Sequence, residues 1–311
     1  MTTTSLSGAG TTTGPGRRPT GRRPRRDWRG WAFVAPFMVV FAAMIIAPVV
    51  YALYLSLFRQ QLIGGNAFVG LGNYVAVFQD DKFWASLGRV TIFLVVQVPI
   101  MLVLSLVAAL ALDSARLHGA GFFRIALFLP YAVPGVVAAL IWGFIYGDQF
   151  GLTASLNHLL GTGLQPLSGP WVLASIGNIV TWEFMGYNML IFYAALRVIP
   201  GELYEAAEID GAGAFRTVFS IKLPAIRGAL VIATIFSIIG SFQLFNEPNL
   251  LKQLAPNAIS SYFTPNMYAY NLSFAGQQFN YAATVAIVMG VLTAVIAYVV
   301  QLRGTPKEAR R

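Results

Sequence analysis

Residues Gly88–Asp113, GRVTIFLVVQVPIMLVLSLVAALALD, carry Arg89 near one end, Asp113 at the other and no charge between. A helix needs about 20 apolar residues to cross the hydrocarbon core of a bilayer, and this run exceeds that. Its polarity does not alternate as a barrel strand's does. Backbone groups in lipid must be bonded within their own segment, so the run reads as a helix.

Comparable runs lie at about Trp31–Phe58, Phe122–Gly147, Trp171–Leu196, Ala229–Glu247 and Ala282–Leu302. The expected fold class is therefore an all-α integral membrane protein with six transmembrane helices. Composition agrees: the 311 residues are 57% hydrophobic and 11% charged, where a soluble chain carries about 25% charged residues. There is no cysteine, which excludes a disulfide framework and a catalytic thiol. The only histidines are His118 and His158, too few for a histidine metal cluster.

The net charge of +9 is a matter of topology. Seventeen of the Lys and Arg residues fall in the N-terminal tail, the second and fourth connections and the C-terminal tail; Arg59, Lys82, Arg89 and Lys252 fall on the other side. By the positive-inside rule both termini are cytoplasmic. No nucleic-acid role is expected of the basic tail. Residues 1–27 are Thr, Gly, Pro, Arg and Ser with little apolar content and are expected to be a disordered basic cytoplasmic tail. The apolar run after Arg22–Arg26 is too long for a signal-peptide core, so it reads as a retained first helix. Residues 303–311 form the other cytoplasmic tail, and 28–302 the six-helix domain. The longer outer connections, about 59–87, 148–170 and 248–281, are turn-rich. Pro99, Pro130 and Pro134 predict kinks or broken turns; these suit a domain that must rock, although membrane helices also tolerate proline.

Between the fourth and fifth spans, residues 197–228 depart from the apolar pattern. Pro200 can open a helix, Glu202, Glu205 and Glu208 recur every three residues, and Leu203, Ala206 and Ala207 are strong helix formers. Gly211 and Gly213 then end it, since glycine accepts the left-handed conformation of a C-terminal cap. The result is a helix of about two turns, acidic on one face and small and apolar on the other. It is too short to be stable alone in water. Either a partner surface covers it or it lies on its own bundle.

Glu205-Ala206-Ala207, Gly211 four residues after Ala207, and Ile221-x-Leu223-Pro224 after nine more residues together resemble the EAA loop of bacterial ABC-importer permeases. Asn73-Tyr74, Leu129-Pro130, the run Ile199–Ala207 and Phe242-Gln243-Leu244-Phe245-Asn246-Glu247 are similar to the carbohydrate-uptake branch, the MalF-like type without its extra helices and large outer domain. One departure stands out: Pro248-Asn249-Leu250-Leu251-Lys252 replaces the usual Gly-Gly-Pro stretch. The resemblance implies a type I importer permease (MetI-like) fold. It implies a coupling helix that docks into a separate ATPase, with Glu205, Ala206, Ala207, Asp210, Gly211, Leu223 and Pro224 as the coupling residues. It also implies a second, MalG-like permease, two ATPase subunits that hold ATP and Mg, and an extracytoplasmic solute-binding protein. No cofactor is expected in the chain itself, and it carries no G-x-x-x-x-G-K-[ST] phosphate loop, so it is not expected to be an enzyme.

Ionisable and amide residues inside spans are candidates for a substrate pathway. Glu183, Tyr187 and Asn188 in the fourth span, and Gln243, Asn246 and Glu247 in the fifth, where spacings of three and four put them on one face, offer hydrogen bonds and a ring to a sugar. The same residues also suit helix–helix bonding. Two other functions compete with this reading. Stand-alone secondary transporters often carry internal repeats, and none is evident. A membrane enzyme would need converging acids and histidines, for which Asp113 and His118 are the only pair near a span end.

Overall fold

The computed structural model describes residues 28–61, 65–114 and 117–304. The expected disordered tail at 1–27, Arg116 and residues 305–311 lie outside the described residues. The chain divides into two units, Met1–Val49 and Val50–Arg311. In the first, helix Trp28–Phe41 passes into a π-turn at Ala42–Ile46, and Phe37 stacks on Phe41 with ring centroids 6.0 Å apart. The first apolar helix long enough to cross a bilayer is Trp31–Ser56.

The second unit holds four more such helices, Asp81–Asp113, Val172–Leu196, Arg227–Leu251 and Phe279–Gly304, and a bent pair, Ala120–Ala132 with Gly135–Ile145. With that pair as one crossing, there are six spans among the described residues. A short antiparallel hairpin, Phe58–Gln61 with Gly65–Phe68, follows the first span with Phe58 opposite Phe68.

The second span begins seven residues earlier than its apolar run. Asp80 caps it, accepting from the Lys82 amide at 2.9 Å, and Phe83 and Ser86 in the added turns are buried. This helix inverts the pattern of a soluble one. Phe93, Gln97, Met101, Ser105 and Ala109 form a buried stripe with polar members, while Ile92, Val96, Ile100, Val103 and Val107 face outward. The buried stripe packs on the fourth span, its most extensive helix partner. Gln97 Nε2 donates to Thr181 Oγ1 at 3.2 Å, and Ser105 Oγ donates to the Met185 carbonyl at 2.9 Å. Interhelical bonds of this kind contribute about 0.6 kcal/mol each in a membrane.

The proline expectations divide. Pro99 lies within the uninterrupted helix Asp81–Asp113. At Pro130 and Pro134 the third span breaks outright: Leu129–Ala132 tightens into a 3₁₀ turn, Val133 is extended at ψ 127°, and the next helix starts at Gly135 after a bend of 97°. Pro134 has no N–H to continue the ladder, and the residue before a proline is driven out of the helical region.

The fifth span also breaks, between Phe242 and Asn246. Gln243, Asn246 and Glu247 therefore do not share one helical face, which corrects the reading from their spacing. Nonhelical backbone survives inside a membrane only where its polar groups find partners. Here Thr264 Oγ1 donates to the Leu244 carbonyl at 2.9 Å and Asn266 Nδ2 to the Phe242 carbonyl at 3.1 Å. The C-terminal carbonyls around Ser56 are met in the same way. Buried Asn73 donates to the carbonyls of Ser56 and Phe58 at 2.9 and 2.7 Å, and Asn280 to that of Leu55 at 3.0 Å.

Candidate functional site

Two places gather the residues singled out in the sequence. The first is the segment between the fourth and fifth spans. The helix there is Glu202–Ile209, with Glu202 and Glu205 in its first turn, where a carboxylate complements the helix dipole. Gly211 adopts φ +72°; its amide donates to the Glu208 carbonyl at 3.0 Å, and the Ala212 amide donates to the Ala207 carbonyl at 2.8 Å. That pair of bonds is a complete Schellman cap, and its left-handed residue is the glycine. Glu205, Ala206, Glu208 and Asp210 are exposed, whereas Ala207 faces the protein. Ile209, Phe215 and Val198 are more than four-fifths exposed around them. Beyond the cap, a π-turn at Val218–Lys222 leads into Leu223–Ala225. Pro224 has no N–H for the Ser220 carbonyl four residues back, and the helix widens there.

This segment is tied to the second span. Lys222 Nζ lies 2.6 Å from Asp113 Oδ2, the two side chains being 15% and 8% exposed. The same ammonium sits 5.2 Å from the centre of the Tyr204 ring. Burial raises the Tyr204 hydroxyl pKa above its usual range; the Asp113 carboxylate adds to the rise and Arg197 opposes it. Asp113 thus belongs to an ion pair with Lys222.

The second place is a cavity of about 440 Å³ beside the two broken spans, within the usual size range of small-molecule sites. Tyr187, Asn188, Gln243, Asn246 and Glu247 line it, together with Gln97 and Tyr131. Tyr187 and Tyr131 stack at 4.7 Å with an interplanar angle of 18°. Asn188 is buried and its amide donates to the Phe184 carbonyl at 3.0 Å, whereas Gln243 and Asn246 are exposed. Glu183 is not among the lining residues. It is buried, 4% exposed, and its Oε2 has no hydrogen-bond partner among the described residues. Glu247 is buried too. Both glutamates converge on Gly135, the first residue after the break: a Cβ there would lie 3.4 Å from Glu183 Oε1 and 3.8 Å from Glu247 Oε1.

Tyr131, Gln97, Gly135 and Gly186 were not foreseen. Gly186 is where the fourth span meets helix Ala120–Phe128, and a Cβ would fall 1.9 Å from the Leu127 carbonyl oxygen. A glycine isolated in an apolar helix was the available signal. At the other end of the second span, Asp80 Oδ2 accepts from Tyr268 and Tyr281 hydroxyls, which joins three elements through one carboxylate. Burial of Asp80 works to raise its pKa, but the hydroxyls and the amides of Lys82 and Phe83 lower it on balance; burial and Asp80 together raise that of Tyr268.

Among relatives, the chain is 34% identical over 282 residues to the lactose transport system permease protein LacF of Rhizobium radiobacter, covering 88% of this chain and 92% of that one. It is 33% identical over 290 residues to the diacetylchitobiose uptake system permease protein NgcF of Streptomyces coelicolor, covering 87% and 80%. Its fold matches a chain in the crystal structure of a bacterial ABC transporter involved in alginate import, with a TM-score of 0.78 at 20% identity, over 90% of this chain and 96% of that one. Residues 68–305 match the model of a single family, and the protein therefore belongs to the binding-protein-dependent transport system inner membrane components.

Proposed function

We propose that this permease subunit carries an uncharged sugar or short oligosaccharide inward. It would form the pathway with a second permease chain. Two ATPase subunits would bind ATP and Mg, and an extracytoplasmic binding protein would deliver the cargo. The relatives named for lactose and diacetylchitobiose support the cargo class. So does the cavity chemistry, with amides at Gln97, Asn188, Gln243 and Asn246 for hydroxyl groups and the Tyr131–Tyr187 stack for a C–H face. No basic side chain lines that cavity among the described residues, which disfavours an acidic glycan. The asymmetry of Lys and Arg supports cytoplasmic termini, and a bacterial cytoplasmic membrane as the location.

The observation that carries the ATP-driven reading is the capped helix Glu202–Ile209, whose Glu205, Ala206 and Asp210 are exposed between two spans. Exposed small and acidic residues beside large exposed apolar ones suit a basic cleft on an ATPase. The test is purification of the tagged chain from its membrane in mild detergent, followed by identification of what accompanies it. An ATPase, a second six-span chain and a solute-binding protein are expected. Gly211→Pro, which removes the amide donated to Glu208 and cannot adopt φ +72°, and Glu205→Arg should abolish uptake while the chain still inserts. Recovery of the chain alone, transporting in liposomes without ATP, overturns the reading.

A further inference from the structure

Asp113 is the last residue of a 33-residue helix, the end where the helix dipole disfavours a carboxylate by roughly 0.3–1 kcal/mol. Lys222 occupies the unassigned position of Ile221-x-Leu223-Pro224 and sits at the end of a π-turn, an irregularity frequent at functional sites. Asp113 is unfavourable in its own element, whereas Lys222, in the last turn of its π-turn, suits the dipole there. The two meet at 2.6 Å, largely out of water, and the ammonium compensates the carboxylate.

The third member is Tyr204, in the middle of the exposed helix. Its ring lies 5.2 Å from the Lys222 ammonium, and its buried hydroxyl has no hydrogen-bond partner among the described residues. The ring is therefore held by the cation and by packing. On the far side of the pair, the helix that ends at Asp113 runs without a break through Met101 and Gln97, both of which line the cavity. An uninterrupted helix transmits displacement along its axis, whereas the third and fifth spans are broken beside that cavity.

We propose that Lys222, held between Asp113 and Tyr204, is the positioning residue that links movement of the helix Glu202–Ile209 to the second span, and through it to the cavity. The inference rests on the coupling-helix reading above. In the reconstituted complex, Asp113→Asn and Lys222→Met should retain ATP hydrolysis while sugar taken up per ATP falls about tenfold, within the usual range of coupling between sites. The exchanged pair Asp113→Lys with Lys222→Asp should recover most of the loss, and Tyr204→Phe, which keeps the ring, should be close to wild type. Wild-type uptake per ATP in both single variants, or no recovery in the exchange, overturns the link. Should the single variants fail to assemble, Tyr204→Ala leaves the ion pair in place and decides the matter: a wild-type ratio overturns the link and a reduced one supports it. Glu205→Arg separates the two claims, because normal uptake in that variant removes the coupling-helix reading itself, whatever the ion pair does.

Discussion

Replacing Gly186 by alanine adds one methyl group where the fourth span meets the backbone of helix Ala120–Phe128. Its Cβ would stand 1.9 Å from the Leu127 carbonyl oxygen, 2.6 Å from the Leu127 carbonyl carbon and 2.9 Å from Phe128 Cα. An ordinary contact begins near 3.4 Å, so 3.4 minus 1.9 leaves about 1.5 Å to recover. All three obstacles are backbone, and no rotamer change relieves them. Helix Ala120–Phe128 must move against the fourth span, and the 3₁₀ turn Leu129–Ala132 must move with it. Tyr131 then leaves its stack on Tyr187, now at 4.7 Å. Overpacking of this kind destabilises by about 1–3 kcal/mol, and the lost stack adds about 1 kcal/mol. The expected result is a lower melting temperature in detergent, uptake reduced about tenfold or more, and an ATPase still recruited, since the helix Glu202–Ile209 is not touched. Gly88→Ala is the control: nothing lies within 4 Å of its Cβ, and alanine improves a helix interior by up to about 1 kcal/mol. Wild-type melting and uptake in Gly186→Ala would refute the reasoning.

Two further predictions concern the outer clamp and the buried acid. Asp80 has a folded pKa below its unfolded value, so its contribution is present above that unfolded value and is lost as pH falls through the folded one. Tyr268 has a raised pKa, and its contribution fades as pH rises above about 10, its unfolded value. Thermal melting in detergent should therefore be flat through neutral pH and fall at both extremes. Asp80→Asn keeps the helix cap, removes the charge from two tyrosine hydrogen bonds and should cost about 1–2 kcal/mol while flattening the acid limb; an unchanged acid limb would argue against the clamp. Glu183→Ala should lower transport without releasing the ATPase, measured as vesicle uptake alongside co-purification. Unchanged kinetics would reduce Glu183 to packing.

Much of this protein is legible in one dimension. The spans at Trp171–Leu196 and Ala282–Leu302 fall within three residues of the observed helices because a bilayer demands long apolar runs whatever their neighbours. The helix Glu202–Ile209 and its stop at Gly211 follow from local preferences alone, because a Schellman cap is complete within a few residues of chain. The breaks were only half visible. Pro134 announced the one at Gly135, but the fifth span broke at Gln243-Leu244-Phe245, where no proline or glycine stands. That break depends on Thr264 and Asn266, which meet the freed carbonyls from a segment about twenty residues away. Composition could name Glu183 and Glu247 as costly residues in a membrane, but only the two breaks bring both to Gly135. The pairing of Asp113 with Lys222 spans 109 residues of chain, and no local pattern foretells it. Hydropathy, periodicity and caps are local properties and can be read along a chain. The close approach at Gly186, the partners of unpaired carbonyls and the meeting of distant charges exist only once the helices have packed.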